Sequence, residues 1–323
     1  MAVEQVLGQI GRAPRTAQTE GRNFIPFSKI PEYRKVNRDL LSILVGMLPD
    51  NFVHVDVASG TGLVAQEMTV LCHAQEKRGK IICVEPDPYA VKQARKDTPS
   101  TDLVQVEFIQ GKGEDLEELL AGKIPEEGVD SVSIHDAIHE ITGKDEETGV
   151  TNKQKVLSKM SKITKIGGFI SLNSAFTTEG LGGDGFGYGK WSSHAFRLAN
   201  GRIRRDRKEI KAEDEKDEST KVYEPIEYLN MSREAGFGKI IVFRKKPVTM
   251  THDALVAISM YPRFSEGIFE NYEPNPGAEI PDPASQSDYL IQSLNDKNIT
   301  ELGRVWRDYL LEKTSDSPWS RAS

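Results

Sequence analysis

Residues 53–62 read Val-His-Val-Asp-Val-Ala-Ser-Gly-Thr-Gly, and this stretch decides the fold. A short apolar run ends at Asp56 and passes at once into a loop of small residues. Gly60 and Gly62 let the backbone turn sharply and approach a ligand without a Cβ in the way. The residues from Leu63 onward favour a helix, whose N-terminus can face the polar groups of a ligand. The stretch therefore predicts a strand, a ligand-binding turn and a helix.

Two kinds of cofactor fit this turn. Residues 60–65 match the Gly-x-Gly-x-x-Ala form of the dinucleotide fingerprint, and Glu85 follows at a suitable distance for a ribose. A dinucleotide strand usually runs straight into its first glycine, whereas Asp56 and three further residues come first here. Residues 56–62 resemble the first motif of the class I S-adenosylmethionine-dependent methyltransferases, Asp-x-Gly-x-Gly-x-Gly, with Ala58 in place of the first glycine.

The alternation of apolar runs and helical patterns after this motif predicts an α/β fold. The predicted strands are 52–57, 80–85, 104–109, 130–134 and 167–172, and the predicted helices are 62–78, 88–97, 114–121 and 152–165, the last ended by Gly167 and Gly168. A further helix begins near Pro225 and ends at Gly236. The runs 239–243 and 254–260 are joined by too short a loop for a helical crossover, so we expect an antiparallel hairpin. The resemblance implies a Rossmann-like seven-stranded, mostly parallel sheet with helices on both faces, in which the last strand inserts antiparallel to the others.

Five segments follow from this division of the chain. They are an N-terminal helical cap (1–48), a cofactor-binding α/β core (49–176), an inserted lid (177–222), the end of the core sheet (223–264) and a helical C-terminal extension (265–323). In the extension, apolar residues at helical spacing predict a helix that packs on the body or on a second subunit; they are Ile299, Leu302, Val305, Trp306, Tyr309 and Leu310. This helix or the N-terminal cap is therefore the expected surface of a homodimer.

Composition narrows the partners and the compartment. The net charge of −7 argues against a large phosphate-binding surface, and we expect no nucleic-acid partner. No apolar run approaches the roughly 20 residues of a membrane span. The N-terminus lacks a signal-peptide pattern, and Cys72 and Cys83 give no disulfide framework, so we expect a cytoplasmic protein.

The resemblance implies a set of cofactor-binding residues. Glu85, which ends the second strand, corresponds to the acid that accepts hydrogen bonds from the ribose hydroxyls, and Pro86 to the residue against the adenine. The third strand leads into Gly-Lys-Gly-Glu-Asp-Leu (111–116), which resembles the family's adenine-binding segment although Lys112 replaces its usual Asp. Glu114 and Asp115 also suit the first turn of a helix through its dipole, and both interpretations stay open. The full set is Asp56, Ala58, Ser59, Gly60, Gly62, Glu85, Pro86, Gly113, Glu114, Asp115 and His135.

The fourth strand delivers residues 134–140, Ile-His-Asp-Ala-Ile-His-Glu, to the edge of the sheet where α/β folds bind ligands. His139 titrates near neutrality and can take a proton from an acceptor as the methyl group arrives, while Glu140 can orient it. The alternative is that the histidines are structural, since many methyltransferases need no strong base. A divalent metal held by His135, Asp136 and His139, or by Asp136 and Asn173, has too few ligands, so no metal site is predicted.

The segment after the fifth strand is rich in glycine and aromatic residues. Phe176, Phe186, Tyr188 and Trp191 suggest a lid over an apolar or aromatic acceptor, and Tyr33 of the cap is a further candidate substrate residue. A surface loop whose aromatic side chains pack on the core is the alternative.

The expected function is methyl transfer from S-adenosyl-L-methionine to a small molecule, with O-, C- and N-methylation unresolved. A nicotinamide-dependent oxidoreductase and a non-catalytic binding subunit with a methyltransferase fold are the alternatives.

Overall fold

The computed structural model describes residues 25–144, 147–181, 188–203 and 222–316. Its centre is a seven-stranded sheet in the order β3-β2-β1-β4-β5-β9-β7. The strands of this sheet are β1 (Phe52–Val57), β2 (Gly79–Glu85), β3 (Val104–Gln110), β4 (Val129–His135), β5 (Thr164–Ser174), β7 (Lys239–Thr251) and β9 (Glu301–Glu312). Strands β6 (Gly201–Ile203) and β8 (Tyr272–Pro274) form a separate two-stranded ribbon. In this sheet β9 runs antiparallel to both of its neighbours, and the other six strands share one direction. The predicted seven-stranded, mostly parallel sheet is therefore confirmed.

Helices cover both faces of this sheet. They are α1 (Pro31–Met47), α2 (Leu63–Ala74), α3 (Pro88–Asp97), α4 (Leu116–Leu120), α5 (Asn152–Ile163), α6 (Thr178–Leu181), α7 (Tyr188–Leu198), α8 (Pro225–Glu234), α9 (His252–Ser259), α10 (Pro262–Phe269) and α11 (Pro283–Asp296). Within the described ranges, no helix is both long enough and apolar enough to cross a membrane.

Successive residues of a strand point to opposite faces, and each face of the sheet has its own apolar core. Val55 and Val57 pack with α5 and α8 residues in one cluster, whereas Phe52 packs beneath α1 and α2 in another. A third cluster joins α7, α9, α10 and α11 to the far ends of β7 and β9. In addition to the cores on the two faces of the sheet, the C-terminal part of the chain thus builds this third cluster, which we call the second core.

The cap helix α1 is fixed to its surroundings by polar contacts. The buried Glu67 carboxylate of α2 accepts a hydrogen bond from Arg38 at 2.5 Å and lies 2.6 Å from the guanidinium of Arg34. Asn37 contacts the end of β4 through His135. The predicted cap is therefore a helix whose inner face is tied to both α2 and the sheet.

The expected antiparallel hairpin is wrong. Residues 239–251 form a single long strand, β7, and residues 254–259 lie in helix α9, not in a strand. The run 254–260 is a short, continuously apolar segment, a pattern that a buried helix and a buried strand share. Its apolar side chains are covered on several sides in the second core, which leaves no polar face to reveal the helical period.

The predicted C-terminal helix is also wrong, because residues 301–312 form β9 in the interior of the sheet. As far as residue 316, the helices of the extension lie before that point, in α10 and α11. A strand covered on both faces carries apolar residues at successive positions, and a helical stripe can be picked out of such a run. Trp306, Tyr309 and Leu310 are fully buried within their own chain, so these three side chains are not available to a second subunit.

The two glycines expected to end the fourth predicted helix lie instead in β5. Helix α5 ends at Ile163, and Gly167 adopts φ +82° where the pairing of β4 with β5 shifts register. A Cβ on Gly168 would stand 2.9 Å from the Asp130 carbonyl oxygen. These glycines therefore permit a bulge and a close strand approach instead of a helix end.

The placement of β9 predicts equal sensitivity at two adjacent positions. Leu310 and Leu311 are fully buried in clusters on opposite faces of the sheet. We expect Leu310→Ala and Leu311→Ala each to lower the free energy of unfolding by about 2–5 kcal/mol. Urea unfolding measures this, with Ile166→Ala as the control because that side chain is 59% exposed. A negligible effect at either leucine contradicts a central strand.

Candidate functional site

The glycine loop lies between β1 and α2 and contains three residues with positive φ. Ala58 has φ +53°, Gly60 has φ +53° and Gly62 has φ +80°. The left-handed conformation costs an L-residue roughly 1–2 kcal/mol, which explains why the resembled motif has glycine where this chain has Ala58. At Gly62 a Cβ would also meet the Phe108 ring at 3.1 Å. The loop is therefore specified by backbone conformation at each of these positions.

Glu85 ends β2 and holds this loop. One carboxylate oxygen accepts a hydrogen bond from the Gly60 amide at 2.8 Å, and the other accepts one from the Asp87 amide at 3.0 Å. The side chain is buried, and desolvation raises the pKa of Glu85 to about 7. The two amide contacts partly offset that shift. Glu85 thus links the ends of two adjacent strands and retains acceptor capacity on both oxygens.

Asp56, near the end of β1, takes part in a buried hydrogen-bond chain. The Ser133 hydroxyl donates to Asp56 Oδ1 at 2.5 Å, and Ser133 Oγ lies 2.9 Å from His54 Nε2. His54 is fully buried, and desolvation lowers its pKa to about 3, so the ring is neutral. Because Ser133 gives its proton to Asp56, His54 donates from Nε2 to Ser133 and accepts from Ser131 at Nδ1, 2.7 Å away.

This chain leaves one carboxylate oxygen of Asp56 available. Within the part of the molecule that the structure describes, Asp56 Oδ2 is buried and has no hydrogen-bond partner. The pKa of Asp56 is raised to about 7, mainly by desolvation; the hydrogen bond from Ser133 opposes this rise and the neighbouring Glu85 charge adds to it. A buried carboxylate oxygen without a partner is costly, and a cationic or hydrogen-bonding ligand group would stabilise it.

A cavity of about 500 Å³ opens at this edge of the sheet. It lies at the carboxyl ends of β1, β2 and β4, where α/β folds bind their ligands. Of the residues that the sequence predicts for the cofactor, those lining it are Asp56, Ala58, Ser59, Gly60, Glu85, Pro86, Gly113, Glu114 and His135. Gly62 and Asp115 do not line it: Gly62 packs behind the loop, and Asp115 ends the short 3₁₀ turn Gly113–Asp115.

His135 has a different setting from the one predicted. Its Nδ1 lies 2.7 Å from Asn37 Oδ1 and its Nε2 lies 2.8 Å from Ser171 Oγ. Desolvation lowers the pKa of His135 to about 3, so the ring is neutral, with one nitrogen donating and the other accepting. Both ring nitrogens are thereby used in attaching α1 to β4 and β5, although the ring also borders the cavity.

The two candidate catalytic residues lie together at the end of β4, with Glu140 at the cavity wall. Glu140 Oε1 accepts a hydrogen bond from the Tyr261 hydroxyl at 2.6 Å and lies 3.0 Å from His139 Nε2. The imidazole of His139 is not among the lining groups and stacks on Phe176, with ring centroids 3.8 Å apart. The geometry thus places Glu140 nearest the cavity and His139 behind it.

The candidate substrate residues fall in three places. Tyr33 lines the cavity, and burial, reinforced by the charge of Asp136, raises the pKa of its phenol well above the ordinary value. Phe176 lies between His139 and the guanidinium of Arg304, which is 5.0 Å from its ring centroid. Trp191 is fully buried in the second core and donates its indole N–H to the Leu290 carbonyl, so it does not face the cavity. Phe186 and the side chain of Tyr188 lie outside the described part of the chain.

Sequence reasoning missed several residues of the cavity wall. Asp136 was considered only as a metal ligand, although its place directly after β4 marks it as a wall residue. Ile141 and Thr142 continue the same loop, whereas Tyr261 comes from the C-terminal second core and no local motif announces it. No group of three or more His, Cys, Asp or Glu side chains suited to a metal ion occurs among the described residues.

The raised pKa values predict how stability changes with pH in the ligand-free protein. A carboxyl group with a folded-state pKa near 7 and an ordinary unfolded-state pKa near 4.3 holds its proton more tightly when folded. Its contribution to stability is therefore lost as pH rises from about 4 to 7. We expect Glu85→Gln to remove roughly 1–3 kcal/mol of this loss, so that the melting temperature of the variant falls less between pH 5 and 7.5. If the melting temperatures of the wild type and of Glu85→Gln fall by the same amount across this pH range, the burial argument for Glu85 is contradicted.

Comparison with known proteins identifies the family of this chain. A family model described as a methyltransferase domain matches residues 49–222, and no curated protein matches the chain. The chain is similar to the structure of a proposed methyltransferase from Bacillus halodurans C-125, with 14% identity, a TM-score of 0.48 and coverage of 86% of this chain and 99% of that one.

Two further solved structures are similar at the same level. A proposed sarcosine dimethylglycine methyltransferase from Galdieria sulphuraria gives 16% identity, a TM-score of 0.44 and coverage of 87% and 86%. The YcgJ protein from Bacillus subtilis gives 13% identity, a TM-score of 0.47 and coverage of 87% and 100%. Because the family model covers more than half of the 323 residues, this chain belongs to the methyltransferase domain family and is a methyltransferase.

Proposed function

We propose that the protein binds S-adenosyl-L-methionine in the cavity and transfers its methyl group to a small molecule. The observation that carries this proposal is the pair of buried carboxylates, Asp56 and Glu85, placed on either side of the glycine loop. The family generally uses this cofactor, and the two carboxylates match its two hydrogen-bonding ends. Glu85 suits the ribose hydroxyls, and the unpartnered Asp56 Oδ2 suits the amino group of the methionine part.

The charge of the cavity argues against a dinucleotide. Its lining includes the carboxylates of Asp56, Glu85 and Glu114 near the glycine loop, with Lys112 beside them. A pyrophosphate carries negative charge and would make ionisation of Asp56 and Glu85 still more costly, whereas sulfonium and ammonium groups would stabilise their ionised forms. A well-formed cavity of about 500 Å³ likewise favours an enzyme over a non-catalytic subunit.

When bound, the cofactor supplies an activated methyl group on a sulfonium. The protein's part is then to orient the acceptor and exclude water, effects that can be worth about 7–11 kcal/mol. We assign to Glu140 the role of accepting a proton from the acceptor, because it lines the cavity. His139 and Tyr261, which contact its Oε1, would orient it. Tyr33, Ile141 and Tyr261 supply an aromatic and apolar wall, which supports a small-molecule acceptor.

The expected cytoplasmic location and a homodimer formed through the N-terminal cap remain parts of this proposal. Light scattering of the full chain tests the second.

Ligand binding distinguishes the proposed cofactor from its rival. We expect S-adenosylhomocysteine to bind with a dissociation constant in the micromolar range and to raise the melting temperature in proportion to the logarithm of its concentration. NADH at the same concentrations should leave the melting temperature unchanged. Calorimetry and thermal shift measure both, and a response to NADH alone would transfer the function to the oxidoreductase class.

The Ser133 contact gives a second test with a matched control. Ser133→Ala removes the hydroxyl that orients and stabilises the Asp56 carboxylate, so we expect S-adenosylhomocysteine to bind roughly 3–10-fold more weakly at pH 7.5. Ser131→Ala removes a hydroxyl from the same His54 ring without touching Asp56, and affinity should change less than about twofold. Titration calorimetry of the three proteins measures this. Equal losses in both variants would mean that His54 packing, and not the Asp56 contact, matters.

A further inference from the structure

A third buried carboxylate faces the cavity at the end of β4. Asp136 is 6% exposed and adopts φ +48°, an uncommon conformation for a residue other than glycine. Its amide donates to the Asn173 carbonyl at 2.9 Å, and its Oδ1 accepts from the Ala175 amide at 3.0 Å. Over the described residues, Oδ2 is buried and has no hydrogen-bond partner. A strained backbone therefore holds a carboxylate with one unused oxygen at the cavity wall.

The position of Asp136 assigns it to the acceptor side of the cavity. The sheet order is β2-β1-β4-β5, so the ribose-binding Glu85 and the side chain of Asp136 are separated by β1. Asp136 Oδ1 is held by the amide of Ala175, which follows β5, and β5 lies on the opposite side of β4 from β1. Asp56 already offers a partnerless oxygen for the amino group of the cofactor. The free oxygen of Asp136 is thus left for a different cation.

The surrounding groups favour a positively charged occupant. Glu140 adds a second carboxylate to the same wall, and Tyr33 and Tyr261 add phenol groups. Lys112 is the cationic side chain among the described lining residues, and it belongs to the loop after β3, on the adenosine side. Arg304 is 1% exposed, packs on the rings of Phe176, Phe264 and Trp306, and is not among the residues that line the cavity. The surface that an acceptor would touch is therefore acidic and aromatic, which stabilises an ammonium group and disfavours a carboxylate or phosphate.

We propose that the acceptor is an amine that binds as an ammonium ion against Asp136 and is methylated on nitrogen. This inference rests on the proposed function of the cavity. The ammonium loses one proton to Glu140, which passes it to solvent, and the nitrogen regains its lone pair. That pair forms the N–C bond while the S–C bond breaks and its electrons stay on sulfur. The products are the N-methylammonium ion and S-adenosylhomocysteine.

The test uses three probes of one shape and different charge. Tyramine is a cation, 4-ethylphenol is neutral and 4-hydroxyphenylacetate is an anion, and each is titrated into the full chain saturated with S-adenosylhomocysteine. We expect tyramine to bind roughly tenfold more tightly than 4-ethylphenol, and 4-hydroxyphenylacetate to bind more weakly still. Equal affinities, binding of none of the probes, or a preference for the neutral or anionic probe overturns the proposal.

A variant tests whether Asp136 causes the preference for the cationic probe. Asp136→Asn keeps the oxygen that accepts from Ala175 and tolerates the positive φ, so the fold should be retained. We expect it to lose roughly tenfold in tyramine affinity while its affinities for 4-ethylphenol and S-adenosylhomocysteine change less than about twofold. The exposed Asp102→Asn is the control for a lost charge and should behave like the wild type.

The outcomes separate this inference from the function beneath it. If the wild type does not bind S-adenosylhomocysteine, the proposed function itself fails. If Asp136→Asn binds S-adenosylhomocysteine much more weakly and still prefers tyramine, Asp136 belongs to the cofactor and the acceptor assignment is overturned.

Discussion

The hydrogen bond from the Gly60 amide to the Glu85 carboxylate is the contact on which the rest of the site depends. It joins the loop after β1 to the end of β2, and so fixes the irregular backbone of the glycine loop at the cavity wall. The bond is made by a buried acid whose second oxygen holds the Asp87 amide, the N-terminal cap of α3. A single side chain therefore sets the loop, begins the next helix and presents acceptor oxygens to the cavity.

Hydrogen bonds between ordered polar side chains offset the free-energy cost of burying these side chains within an otherwise apolar sheet. His54, Ser133 and His135 occupy alternate positions on the face of the sheet beneath α1, where most of the neighbours are aliphatic. Each ring nitrogen of the two histidines has a hydroxyl or amide partner, so neither ring needs a charge. Full satisfaction of a buried network is what makes it stabilising and specific. Among the described residues of the cavity wall, Asp56 and Asp136 each keep one buried carboxylate oxygen without a hydrogen-bond partner.

The sequence predicts the glycine loop and the strand ends beside it far better than the opposite wall of the cavity, and the reason is physical. The glycine loop and Glu85 are set by local backbone conformation and by strand ends, and local sequence records both. His135 is structural because Asn37, almost a hundred residues away in the sequence, contacts its ring. No local sequence pattern predicts that contact. Strand β9 and helix α9 were misassigned because burial on all sides removes the polar face from which a period is recognised. Tyr261 reaches the cavity only because α9 to α11 fold into a second core.

The two halves of the proposed site are built from different parts of the molecule, and they therefore differ in how freely they can change. The proposed cofactor half is built by β1, β2 and the loop after β3, at one edge of the seven-stranded sheet. The acceptor half combines the loop after β4 with Tyr261 and Phe176, which pack against the second core through Arg304 and its aromatic neighbours. Substitutions in α9 to α11 can therefore move the acceptor wall without disturbing the Gly60 to Glu85 contact. If the proposed function holds, a change of acceptor requires repacking of the second core, whereas cofactor binding requires the sheet edge to stay as it is.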